Sequence, residues 1–109
     1  MVAIDEQETV ELLKELIRID SVNPDLVPDG AGEAAIGELV RAYMADSGLE
    51  VVVQDSAPGR PNVIGTLRSA NPVSGKSLML NGHTDTVGFG KMDIDPLDPV
   101  ERGGRIYGR

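Results

Sequence analysis

Cysteine and tryptophan are both missing from this chain of 109 residues, and histidine occurs once. Without cysteine there is no disulfide framework and no thiolate metal site, so a metal ion would have to be held by His, Asp and Glu. Aromatic side chains are scarce: Tyr43, Phe89 and Tyr107 are the whole set, and a core must be built from Leu, Ile, Val, Met and Ala. Basic residues are outnumbered, 10 Lys and Arg against 18 Asp and Glu, for a formal net charge of −8. No basic patch is visible, which argues against a nucleic-acid partner. The acidic surface favours solubility and attracts cationic solutes, metal ions included. Long apolar runs are lacking too. Nothing approaches the roughly 20 residues of a membrane span, and the opening MVAIDEQETVELLKEL carries acids where a signal peptide needs a basic end and an apolar stretch. The expectation is a cytoplasmic chain with no membrane association.

What is present reads as one modest globular domain, with 40% hydrophobic and 26% charged residues. Asp5 to Ile19 predicts an amphipathic helix: Val10, Leu12, Leu13, Leu16, Ile17 and Ile19 form an apolar face, with Glu8, Glu11, Lys14, Glu15 and Arg18 opposite. Asp5 and Glu8 have capping-box spacing, and the charges read as a solvated face. DSVNPDLVPDGAG, residues 20–32, is a loop of Pro, Gly, Asn and Asp. A second helix is expected from about Glu33 to Ser47, closed by Gly48 in the left-handed conformation. Strands then follow at LEVVVQD (49–55) and NVIGTL (62–67), joined by the turn APGRP. After the polar connection RSANPVSGK comes SLMLNG (77–82), whose unalternating Leu78-Met79-Leu80 suits a strand covered on both faces of a sheet. Residues 88–104 read as loop, and Arg105–Gly108 as a short strand. The fold class is therefore α/β, two helices followed by three or four strands. With sheet edges left open and no closing helix, the layout looks incomplete.

The segment that carries chemistry is SLMLNGHTDTVG, residues 77–88. An apolar run ends at Asn81-Gly82 and delivers His83, the single histidine, with Asp85 two places on. In extended chain those two side chains project to one side and Thr84 to the other. Sites in open α/β sheets lie just beyond the carboxyl ends of strands, which is where His83 falls. Either both groups bind one metal, or the imidazole binds it while the carboxylate accepts the other ring N–H, fixing the tautomer. Spacing leaves both open. A bare His-x-Asp is also common by chance, and a lone histidine is more often a surface or capping residue than a ligand. Asp93, Asp95, Asp98 and Glu101 lack the glycine and spacing of a calcium loop and read as a solvated turn. The chain has no phosphate-binding loop and no Gly-x-Ser-x-Gly elbow.

LMLNGHTDTV, with the loop DIDPLDPV and then GGRIYGR behind it, resembles the N-terminal part of a zinc-dependent amidohydrolase and peptidase family. Its members include acetylornithine deacetylase, succinyl-diaminopimelate desuccinylase, aminoacylase and carboxypeptidase G. The resemblance also covers ELLKELIRIDSVNP, GELVRAYMADSGLEV and RPNVIGTL, and so nearly the whole chain. It implies a three-layer α/β/α catalytic domain with a mixed sheet, of which residues 1–109 would be the N-terminal segment. It implies that His83 is a ligand to one zinc of a two-metal centre, with Co or Mn as substitutes, and that Asp85 is a catalytic residue orienting His83. Thr84 and Val87 would be structural neighbours.

The family's bridging aspartate, its Glu-Glu pair, a further acidic ligand and a last histidine would lie beyond Arg109, together with a lid and dimerisation domain. The implied function is amide hydrolysis of N-acyl amino acids or small peptides by a full-length parent, a homodimer in this reading, with the 109 residues alone inactive. Two other readings stand beside it: a non-catalytic α/β module that binds a partner protein through its acidic surface, and a truncated product with no activity.

Overall fold

A computed structural model describes residues 3–71 and 75–109. Among these residues two α-helices, α1 (Glu6–Arg18) and α2 (Ala34–Asp46), precede four strands, β1 (Glu50–Ala57), β2 (Arg60–Thr66), β3 (Val100–Arg102) and β4 (Arg105–Tyr107). The expected α/β class holds. In the chain the strands form two separate antiparallel pairs, β1 with β2 and β3 with β4.

Local chemistry explains the helix ends. The Asp5 carboxylate accepts from the Glu8 N–H at 3.0 Å, which satisfies one of the orphan donors of the first turn of α1. The far end of α2 closes with paired bonds, Gly48 N–H to Ala45 O at 2.9 Å and Leu49 N–H to Met44 O at 3.0 Å. These are the two bonds of a Schellman motif, and Gly48 takes the left-handed φ of 83° that it requires.

α2 rests against the β1–β2 hairpin. The approach is close enough that a Cβ on Gly37 would stand 2.6 Å from Pro61 Cγ, so this helix position has no room for any side chain. The Tyr43 hydroxyl donates to the Glu8 carboxylate at 2.8 Å and ties α2 to α1. On its other flank α1 reaches β3 through Lys14 and Glu101, 3.1 Å apart. The β3–β4 connection is Gly103-Gly104, both at positive φ, as a two-residue hairpin turn of the right twist demands.

The core is thin. Among the described residues only Ile17, Val22 and Ile36 are buried apolar side chains, and the radius of gyration is 16.3 Å, against about 13 Å for a compact domain of this length. The run expected as a doubly covered strand, 77–82, joins neither sheet. Leu78, Met79 and Leu80 are 85%, 84% and 87% exposed. A strand needs neighbours for its backbone donors and acceptors, and among the described residues nothing pairs with this one. In the preceding connection, residues 72–74 lie outside the described residues, as do the first two of the opening segment.

Candidate functional site

Where the chain leaves α1 it meets the segment that follows the exposed run. Val22 and Thr86 form a parallel bridge. It is made by the Thr86 N–H donating to Ser21 O at 3.0 Å and the Asn23 N–H donating to Thr86 O at 2.9 Å. The Ser21 hydroxyl adds a bond to Thr84 O at 2.8 Å. Ser21 and Val22 are both buried, so residues 84–86 are anchored on a buried point of the chain. Thr84 spends its carbonyl on this anchorage.

His83 and Asp85, singled out from sequence, come together as the alternation of extended chain predicts. His83 Nδ1 lies 3.0 Å from Asp85 Oδ1 and 3.0 Å from the Asp85 carbonyl oxygen. Both partners can only accept when the carboxylate is ionised, so the proton of the neutral ring is assigned to Nδ1 and the lone pair to Nε2. The His83 side chain is 83% exposed, whereas that of Asp85 is 32% exposed. A bare Nε2 facing outward has the chemistry of one metal-ligand position, and the carboxylate behind it has that of an orienting group. A His83–Asp85 contact of this kind is what the second of the two arrangements left open by spacing requires.

The other Asp85 oxygen is held by a residue that sequence reasoning missed. Asn23 Nδ2 donates to Asp85 Oδ2 at 2.7 Å. The positions are 62 apart, and a loop asparagine before proline reads simply as a turn residue. Foremost the Asn23 amide, and then the His83 ring, hold the Asp85 carboxyl below the ordinary carboxylate range, against the partial burial that pushes it up.

The sign of the linkage follows. A carboxyl lowered on folding stabilises the folded chain fully above its unfolded pKa, and that contribution is lost as pH falls through the lower folded one. Acid unfolding of Asp85→Asn should therefore show a shallower loss of stability below the ordinary carboxyl range than the parent does. Coincident acid profiles would show that these bonds do not form in solution. Glu38 and Glu50, lowered by Arg41 and Arg68, are unchanged in that comparison.

Two hollows flank the imidazole, of about 180 Å³ and 350 Å³, and His83, Thr86 and Arg109 line both. Leu13, Leu16 and Ile17 of α1 wall the smaller one, while Leu26 and Val87 wall the larger. Arg109, the second residue missed from sequence, lies with its guanidinium 5.5 Å from the centre of the Phe89 ring and donates to Gly88 O at 3.4 Å. Its Nε and Nη2 are buried without a hydrogen-bond partner among the described residues.

Among the described residues no three His, Cys, Asp or Glu side chains gather into a metal-holding group. Asp95 lies in a turn and accepts from the Leu97 N–H at 3.0 Å, whereas Glu101 falls in β3 and pairs with Lys14. No helix among the described residues is long and apolar enough to cross a membrane.

The chain is similar to several known proteins. Succinyl-diaminopimelate desuccinylase of Variovorax paradoxus is 33% identical over 105 residues, covering 93% of this chain and 26% of that protein. Acetylornithine deacetylase of Salmonella arizonae is 32% identical over 101 residues, 91% of this chain and 26% of its own length. The chain is a relative of this amidohydrolase family. N-formyl-4-amino-5-aminomethyl-2-methylpyrimidine deformylase of Bacillus subtilis is also similar, 28% identical over 106 residues, 94% of this chain and 24% of that protein. The chain thus spans about a quarter of the length of the curated amidohydrolases it matches. No family model and no solved structure matches it.

Proposed function

We propose that this chain is part of a metal-dependent hydrolase that cleaves the amide bond of N-acyl compounds, and that it contributes one metal ligand, His83, with Asp85 as the residue that positions it. The observation that carries this reading is the 3.0 Å contact of Asp85 Oδ1 with His83 Nδ1, which leaves Nε2 free and outward. The relatives are named for removing formyl, acetyl and succinyl groups, which supports an acyl amide as the substrate class. Zinc is the metal we propose, since a site built from imidazole and carboxylate without thiolate suits it. A metal so held supplies Lewis acidity toward the scissile carbonyl and eases deprotonation of the attacking water.

The remaining work falls to the chain's own groups. Asp85 keeps the ring proton on Nδ1 and makes Nε2 more basic. The backbone bonds among Ser21, Thr84 and Thr86 fix where the ring stands. We further propose that the 109 residues belong to one catalytic domain of three-layer α/β/α form, in which 77–82 is a strand of a mixed sheet whose neighbours lie elsewhere in the whole enzyme. The same reading has the other ligands and the general base outside this chain, and a cytoplasmic enzyme.

The test is Asp85→Ala in the complete open reading frame, assayed against N-formyl, N-acetyl and N-succinyl amino acids. Turnover should fall by about 10-fold to 100-fold, the usual cost of losing a group behind a metal ligand. Turnover equal to that of the parent would remove Asp85 from the site.

A further inference from the structure

We propose that Asn23 is a positioning residue for the His83–Asp85 pair. Its amide is the fixed end of a relay that runs from the backbone through the Asp85 carboxylate to the imidazole proton, and so sets the tautomer in which His83 presents Nε2. The use of that tautomer in catalysis rests on the metal reading above, whereas the relay itself stands on geometry alone.

Three bonds make Asn23 a rigid point. Its backbone N–H donates to Thr86 O at 2.9 Å, which holds residue 23 beside the 84–86 segment, within side-chain reach of Asp85. Its side-chain Oδ1 accepts from the Asp25 N–H at 2.8 Å, closing an Asx turn. Because Oδ1 is committed there, the amide has one orientation, with Nδ2 toward Asp85 Oδ2 at 2.7 Å. The carboxylate is thereby pinned on one oxygen by a neutral donor and offers the other to His83 Nδ1. A carboxylate held at one corner has little freedom to rotate away from the ring. Without Asn23 the Asp85 side chain, one third exposed, would exchange this contact for water.

Two substitutions separate this role from a plain turn-forming one. Asn23→Asp keeps an oxygen for the Asp25 N–H, and so keeps the turn, but replaces the donor to Asp85 with a like charge. Asn23→Ala removes both. A turn-forming role makes the first variant harmless, while a positioning role makes both variants defective. His83 is the single histidine of the chain, so its ring nitrogens give unambiguous ¹⁵N NMR signals, whose shifts distinguish the two tautomers, read without metal.

The expected result is a parent ring that is mainly Nδ1–H, with the Nδ1–H to Nε2–H ratio falling roughly 5-fold in both variants, as loss of one supporting hydrogen bond implies. An unchanged ratio in Asn23→Asp, or no Nδ1–H preference in the parent chain, overturns the proposal. Zinc titration of the complete enzyme reports separately on the metal reading. Parent protein that takes up no zinc sinks that reading, whereas parent affinity retained in Asn23→Asp counts against Asn23 alone.

Discussion

Alanine at position 83 is expected to reduce amide hydrolysis by the complete open reading frame at least about 1000-fold and to lower its metal content. Enzymes supply accelerations of roughly 10⁶-fold and more, and a hydrolytic metal that loses one of a small set of protein ligands loses the geometry that delivers them. The effect should exceed that of Asp85→Ala, since the carboxylate acts only through the ring. Retained metal content and turnover in His83→Ala would end the metal reading outright. The 109-residue chain alone should bind zinc weakly at best, because the imidazole stands 83% exposed and no second or third ligand gathers near it among the described residues.

The largest effect on stability is expected at Arg60. Its guanidinium meets the Glu33 carboxylate with two bonds, Nε at 2.9 Å and Nη2 at 2.7 Å, and also reaches Asp25. Glu33, the residue that precedes α2, is only 5% exposed. The bond to Glu33 above all, joined by that to Asp25, holds the guanidinium proton more tightly than usual. Arg60→Ala leaves the buried Glu33 carboxylate without its paired cation, which lowers stability. Urea unfolding should show it as a lower midpoint, with Arg60→Lys in between because lysine keeps the charge but not the two-pronged geometry. An unchanged midpoint in Arg60→Ala would show the pair to be ornamental. The clamp joins the loop that carries Asn23 to the start of β2, so its loss should also loosen the site.

Much of the local structure was legible in the sequence because it is decided by neighbours in the chain. Asp5 and Glu8 mark the start of α1, Gly48 the end of α2, and Pro58-Gly59 the turn between β1 and β2, since each works within a few residues. The pairing of His83 with Asp85 was legible for the same reason: two positions apart in extended chain is a local relation. Asn23 and Arg60 were not legible as partners of Asp85 and Glu33. Their contacts bridge 62 and 27 positions, and nothing in a run of Asn, Pro and Asp tells which distant backbone it will lie beside. Val100–Arg102 forms a strand where the sequence pattern predicts loop, because three residues carry too little alternation to register. The apolar run at 78–80 departs from expectation: a strand covered on both faces is what its pattern predicts, whereas among the described residues it is exposed and joins no sheet.

That bare run has a consequence for the imidazole next to it. His83 is tethered on one side only: downstream, Thr84 to Thr86 are stapled to Ser21 and Asn23, while upstream Leu78 to Leu80 touch little. Whatever segment comes to lie along them gains leverage over the ring, tightening its swing as it docks.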